Sequence, residues 1–190
     1  NVKPKSGWSA GLEFKKQIST KSSFVTGINF TYLTTEMETG IPASFGDTAL
    51  SFNNIAPEAR VNTIFKAGSG NVFTNRFYLL QVPLLYEYKL GIFKKTPLYA
   101  NAGISANALL STNMILYDSY NLAYYNNNLL LNKFLLNMHL GMNVQLLESK
   151  RMSIILGPQM QYALTNLLKN KNYGQQHMVQ FGLKASVFLK

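Results

Sequence analysis

The chain has 190 residues and a formal net charge of +10, and it contains no cysteine. This length suits one domain, and the lack of cysteine excludes disulfide bonds and thiolate metal sites. No apolar run is long enough for a transmembrane helix, and the first residues lack the apolar segment of a signal peptide.

The alternation of apolar and polar residues predicts seven long β-strands. Successive side chains of a strand point to opposite faces of its sheet. In the fifth predicted strand, Met138 and Met142 share one face, whereas Asn137 and Asn143 share the other. The same division into an apolar and a polar face recurs in the other six strands. In chain order, the strands are predicted at 7–18, 23–36, 77–91, 97–111, 133–147, 152–166 and 177–189.

Short and long connections alternate between these strands. Residues 37–76 and 112–132 form long polar connections, and the first of them includes a predicted short strand around Val61–Phe65. Transmembrane β-barrels of bacterial outer membranes have short periplasmic turns and longer extracellular loops. The pattern therefore predicts an all-β fold, an antiparallel up-and-down transmembrane β-barrel. Such barrels normally have an even number of strands, so we expect an eighth strand in addition to the seven.

A soluble, lipocalin-like carrier of an apolar ligand is the alternative fold, since it also has an up-and-down barrel. Its interior would be apolar and its exterior charged. The predicted strands are longer than the ~5–6 residues usual in globular proteins. Their polar faces are rich in Asn, Gln, Ser and Gly and carry few charges, which favours a polar interior and a lipid-facing exterior.

The basic residues do not form the continuous stripe that a nucleic-acid interface needs. Many lie at or near the short turns, where they would face anionic lipid headgroups. We therefore expect outer-membrane lipid as a partner and no nucleic acid. These turn residues are Lys16, Lys21, Lys94, Lys95, Lys150 and Arg151.

Several ionisable residues lie on the predicted inward faces. A charge inside a narrow barrel must find a partner, and eight strands leave room only for the barrel's own side chains. We therefore predict an internal polar network that acts as a plug and not as a pore. Its members are Glu13, Lys15, Glu87, Lys89, His139 and Lys184.

Aromatic residues on the outward faces fall near the two ends of the strands, as in the aromatic girdles of membrane barrels. The girdle near the long loops comprises Trp8, Tyr32, Tyr78, Phe134 and Tyr162, and the girdle near the short turns comprises Phe24, Tyr86 and Tyr88.

One outward face carries unusually small side chains, which let another backbone approach closely. This strip is a candidate protein contact, and the alternative is a thin stretch of lipid-facing surface. Its residues are Ala100, Ala102, Ala106 and Ala108.

The sequence offers little catalytic chemistry. Only two histidines exist, and His177, near the rim of the last strand, has no serine or threonine beside it. We therefore predict no enzyme activity, no cofactor and no metal. A lipid-modifying barrel enzyme that uses His177 remains the alternative.

Three stretches resemble the PorT-like outer-membrane β-barrel family of Bacteroidota. They are Tyr78–Tyr88 (YLLQVPLLYEY), Leu98–Ser105 (LYANAGIS) and Leu156–Tyr162 (LGPQMQY), within a likeness that covers most of 7–190. The resemblance implies eight strands, of which the first would lie upstream of Asn1. Residues 1–190 would then be a single barrel domain that lacks its first strand.

The motifs of this resemblance say little about function, and the scarcity of catalytic residues predicts a non-enzymatic role. The barrel would be a membrane anchor or an interaction module, with other outer-membrane or periplasmic proteins as partners. It would be either a subunit of a larger outer-membrane assembly or the C-terminal barrel of a longer membrane-spanning signalling protein with an anti-sigma-like region.

Overall fold

A computed structural model describes residues 2–43, 64–93, 96–118, 122–148, 152–169 and 176–189. Seven long strands form one sheet in the order β1-β2-β5-β6-β9-β10-β11. They are β1 (Val2–Gln17), β2 (Ser22–Thr39), β5 (Asn71–Phe93), β6 (Thr96–Thr112), β9 (Phe134–Glu148), β10 (Met152–Ala163) and β11 (Val179–Leu189). This order confirms the seven predicted strands and their up-and-down connection.

Four short strands form a second sheet in the order β3-β4-β8-β7. They are β3 (Pro42–Ala43), β4 (Ile64–Lys66), β7 (Ile115–Asp118) and β8 (Ala123–Asn126). The predicted short strand around Val61–Phe65 corresponds in part to β4, and its first residues lie outside the described ranges. No helix among the described residues is long and apolar enough to cross a membrane.

Several strand boundaries differ from the sequence prediction: β1 begins at Val2 and not at 7, and β5 begins at Asn71 and not at 77. Two further differences have an identifiable reason. The prediction continued the sixth strand to residue 166 and began the seventh at 177, whereas β10 ends at Ala163 and β11 begins at Val179. The side-chain oxygen of Asn166 accepts hydrogen bonds from the backbone N–H groups of Leu168, at 3.3 Å, and Gln176, at 2.8 Å. These bonds offer the backbone an alternative to the strand ladder, as Asn side chains do in turns.

The contacts divide the chain into two compact units. The first comprises residues 1–8, 31–79 and 109–131. In its described part, Asn75 joins two segments, because its side-chain nitrogen donates to Thr35 Oγ1 at 3.1 Å and its oxygen accepts from Ile115 N at 3.2 Å. Leu79, Ile115 and Leu131 are among its fully buried side chains.

The second unit comprises residues 9–30, 80–108 and 132–190, and its polar face is the buried one. His139 and Asn143 are each 2% exposed, whereas Leu140, on the opposite face of β9, is 47% exposed. This distribution is the reverse of a soluble barrel, which buries its apolar face. The lipocalin-like alternative is therefore wrong. We call the buried face of this unit the interior.

Glycines permit the close approach of neighbouring strands in the second unit. A Cβ atom on Gly157 would overlap the carbonyl oxygen of Met142, and one on Gly103 would overlap that of Leu84. Both obstacles are backbone atoms on the next strand, which cannot swing away as a side chain can. Glycines at such places allow a sheet to curve sharply.

Candidate functional site: a polar interior

A buried ion pair occupies part of the interior. The carboxylate of Glu87, which is 1% exposed, accepts a charged hydrogen bond from Lys15 Nζ. It also accepts weaker bonds from Ser23 Oγ and Asn143 Nδ2, each at 3.4 Å. The Lys15 ammonium lies 4.6 Å from the centre of the Tyr99 ring, where a cation is attracted to the π-electrons. Three strands, β1, β2 and β9, thus donate hydrogen bonds to one carboxylate on β5.

A second ion pair joins the first and last strands of the sheet. Lys184 Nζ, on β11, donates to Glu13 Oε1, on β1, at 2.6 Å. Asn29 Nδ2 donates to the same oxygen at 3.1 Å, and Ser186 Oγ lies 3.5 Å from Glu13 Oε2. The side chains of Lys184 and Glu13 are only 20% and 7% exposed. Because the pair is shielded from water, it is screened less than a surface pair.

His139 belongs to a neutral hydrogen-bonded group. Its Nε2 atom lies 2.7 Å from Ser105 Oγ. Gln81 Nε2 donates to Ser105 Oγ at 3.1 Å and to Gln161 Oε1 at 2.9 Å. The histidine therefore lies among hydroxyl and amide groups.

The structure brings most of the predicted interior residues into these contacts, but Lys89 is different. Its backbone N–H donates to Lys21 O at 2.7 Å, and its side chain is half-buried. Among the described residues, its ammonium takes part in no ion pair.

Sequence reasoning missed a small apolar cluster inside the same unit. Val25, Leu85 and Ile155 are each buried and pack together. Leu85 follows the inward alternation of β5, and Ile155 follows that of β10, between the buried Ser153 and Gly157. Sequence reasoning missed the cluster because it identified the inward faces by their polar residues, and these three are apolar residues on those faces.

The predicted aromatic residues form several groups of contacts. In the first unit, the Trp8 and Tyr32 rings are 6.1 Å apart and the Tyr32 and Tyr78 rings 5.1 Å apart. In the second unit, Phe24 and Tyr86 meet edge to face at 5.6 Å. The remaining three, Tyr88, Phe134 and Tyr162, lie on β5, β9 and β10 of the second unit.

The predicted alanine strip borders a shallow apolar groove on the outward face of the second unit. Ala100 and Ala102 line this groove, whose volume is about 500 Å³, together with Leu140, Met142 and Phe181. Ala106 and Ala108 lie on the same strand but outside the groove lining.

His177 contacts two residues at the end of β10. Its Nδ1 atom lies 2.8 Å from the carbonyl oxygen of Ala163, and its ring stacks on Tyr162 with a centroid distance of 5.5 Å. Within the described ranges, no three His, Cys, Asp or Glu side chains cluster in a way that could hold a metal ion.

The comparisons with known proteins gave one finding. A protein-family model described as an outer membrane protein beta-barrel domain matches residues 1–169. No curated protein and no solved structure matches the chain.

Proposed function

Because the chain belongs to the outer membrane protein beta-barrel domain family, and is thus a protein of the bacterial outer membrane, we propose that it is a non-enzymatic membrane anchor or interaction module. The predictions of a β-barrel fold and of outer-membrane localisation are confirmed. Its partners would be outer-membrane lipid and other outer-membrane or periplasmic proteins. It would be either a subunit of a larger assembly or the C-terminal barrel of a longer anti-sigma-like signalling protein. The finer PorT-like kinship stays a prediction.

The filled interior is the observation that supports this proposal best. Two lysine–carboxylate pairs, the His139 group and the Val25–Leu85–Ile155 cluster occupy it. A barrel of this size holds its own side chains and little else, whereas porins need many more strands to leave an aqueous channel. The alternative role as a lipid-modifying enzyme is not favoured, because the His177 ring contacts a backbone carbonyl and Tyr162.

We expect the purified protein to show no steady ion conductance in planar lipid bilayers. Ions would have to displace the Glu13–Lys184 and Glu87–Lys15 pairs, whose charges are compensated inside the barrel. A porin added to the same bilayers provides the control that channels are detected. Stable, stepwise conductance by this protein would contradict the proposal and indicate a pore.

The two edges of the sheet support an interaction role. Among the strands that the structure describes, β1 and β11 are the ends of the sheet order, so each has one neighbouring strand there. Unpaired backbone groups are not tolerated in lipid. We expect a further strand to pair with both edges.

This strand can be tested by hydrogen exchange on protein purified from its native membrane. If a further strand is present, the backbone amides of β1 and β11 should exchange as slowly as those of β6 and β9, which pair on both sides. Rapid exchange along both edges, with β6 and β9 protected, would show that the sheet remains open.

A further inference from the structure

In the second unit, side chains of β1 and β11 meet across a gap in the sheet. Lys184 Nζ donates to Glu13 Oε1 at 2.6 Å, and Ser186 Oγ lies 3.5 Å from Glu13 Oε2. The two strands nevertheless lie at opposite ends of the sheet order and share no ladder in the described part of the chain. We call the space between these strands the seam, and we call the contacting side chains of Glu13, Lys184 and Ser186 the bridge.

The bridge limits the width of the seam. A serine oxygen is two covalent bonds from its Cα atom, and a glutamate carboxylate oxygen is four bonds from its own. The 3.5 Å contact between these oxygens therefore allows at most about 11 Å between the Cα atoms of Ser186 and Glu13. Because adjacent strands are about 4.8 Å apart, one intervening strand requires roughly 10 Å and two require about 14 Å. The seam has room for one strand and no more.

The direction of a strand in the seam follows from the sheet order. The long strands alternate in direction along the sheet, and six steps separate β1 from β11, so these two edges run the same way. A strand that pairs antiparallel with both, as in membrane barrels, runs from the short-turn side to the long-loop side. A second copy cannot supply it from its own β1 or β11, because all copies insert with their short turns facing the periplasm.

The bridge also restricts the residue that faces inward at its level. The side chains of Glu13 and Lys184 extend towards each other on the interior side, so they occupy the place of any long side chain there. The same arrangement exists on β9, where the register places Gly141 between Asn101 and Gln159. A Cβ atom on Gly141 would lie 2.8 Å from Asn101 Oδ1 and 3.1 Å from Gln159 Cγ. A strand in the seam therefore needs glycine or alanine at the level of the bridge.

The outward faces of the two edges indicate the rest of the strand's chemistry. Leu12 and Phe14 on β1 are 75% and 71% exposed, and Phe181 and Leu183 on β11 are 75% and 78% exposed. Leu140, which has a neighbouring strand on each side, is only 47% exposed. Apolar outward side chains on an intervening strand would cover the four edge residues, and lipid-facing positions of a barrel are apolar.

We propose that the seam binds a single β-strand that is antiparallel to both edges, with apolar residues facing outward and glycine or alanine facing inward beside Glu13. The strand comes from a polypeptide segment other than β1–β11. The bridge crosses the seam on the interior side of this strand and holds the two edges at the separation that one strand requires. This inference rests on the proposed function as an interaction module, and it adds the number, direction and sequence pattern of the strand that the seam accepts.

Paired cysteines measure the width of the seam in protein purified from its native membrane. Glu13→Cys and Lys184→Cys are made together, so that neither charge is left without its partner. A disulfide needs Cα atoms within about 7 Å, so oxidation should form none across the seam, whereas an ethylene-bridged bis-methanethiosulfonate should link the two thiols. The pair Gln161→Cys and Gln180→Cys is the matched control, because these residues are Cα partners on adjacent strands and should form a disulfide.

Either of two results would overturn the proposal. A disulfide between positions 13 and 184, formed as readily as in the control, would show that β1 and β11 lie side by side. Failure of the reagent to link the two thiols would show that the seam is wider or that a large side chain fills it. Ion conductance in planar bilayers would contradict the proposed function and leave both crosslinking results unchanged, so the two proposals can fail separately.

Photocrosslinking in the native membrane identifies the bound strand itself. A benzophenone amino acid in place of Phe14 or of Phe181 should attach to one and the same polypeptide segment, which mass spectrometry then sequences. We expect this segment to alternate apolar residues with small or polar ones and to include the inward glycine or alanine. The same probe in place of Leu140, which lies between β6 and β10, is the control and should not attach to that segment. Attachment of the two edge probes to different segments, to β1 or β11 of a second copy, or to no peptide would contradict the proposal.

Discussion

Replacing Gly157 with alanine should prevent the chain from forming a stable barrel. The new methyl group would overlap Met142 O, and the neighbouring Asn143 Cα would lie 2.8 Å away. Both are backbone atoms of β9, so relief requires two strands to separate and to lose ladder hydrogen bonds. Overpacking of this kind costs about 3 kcal/mol or more in the free energy of unfolding. Refolding into detergent, followed by the fluorescence of Trp8, the sole tryptophan, measures the loss.

Gly182→Ala provides the matched control for this prediction. Gly182 lies on the strand next to Gly157, but an added methyl group there meets no atom within 4 Å. We expect its free energy of unfolding to stay within about 0.5 kcal/mol of the wild type. If both variants lost the same free energy of unfolding, the close approach of β9 to Gly157 could not explain the loss in Gly157→Ala.

Replacing Glu87 with glutamine should destabilise the barrel by about 2–3 kcal/mol. The change keeps the shape of the side chain but leaves the Lys15 ammonium without its counter-charge. Loss of one partner of a buried pair typically costs ~3–5 kcal/mol. We expect a smaller loss here because water reaches the Lys15 side chain, which is 26% exposed. Equilibrium unfolding by urea in micelles, monitored through Trp8, gives the measurement.

Two further variants make this prediction specific. Glu36→Gln breaks a pair of the same kind, but this pair is more exposed: the Glu36 side chain is 31% exposed and that of its partner Lys5 is 50% exposed. The variant should therefore lose less than about 1 kcal/mol in the free energy of unfolding. Combining Glu87→Gln with Lys15→Gln should recover part of the loss, since the uncompensated charge is removed. If the double variant were as unstable as the sum of both single variants, burial of charge would not be the cause.

Much of the seven-stranded sheet could be predicted because lipid imposes a strict rule on each strand. Every outward residue must be apolar, so the alternation along 133–147 was long and uninterrupted, and β9 was found within a residue of its limits. Of the four short strands, only β4 was predicted in part, and the other three were missed for the opposite reason. β7 and β8 have four residues each, and alternation over four residues is too brief to distinguish a strand from a loop.

The candidate site was predictable as a set of residues but not as a set of pairs. The alternation of apolar and polar residues predicts that Lys15, Glu87 and Lys89 face inward. Because Lys89 is only two residues from Glu87, the sequence alone would favour it as the partner of Glu87. The structure instead pairs Glu87 with Lys15, which lies 72 residues away. That choice depends on the stagger of neighbouring strands, and the spacing of residues along one strand carries no information about stagger.

The ion pair between Glu13 and Lys184 has a consequence for the order of folding. Its partners are 171 residues apart and lie on the first and last strands of the sheet. The entropy of closing so long a loop must be overcome before the pair contributes any stability. The pair therefore forms late, after the intervening strands have associated. It adds to the barrier against unfolding while contributing little to the rate of folding, and so favours a long-lived native state.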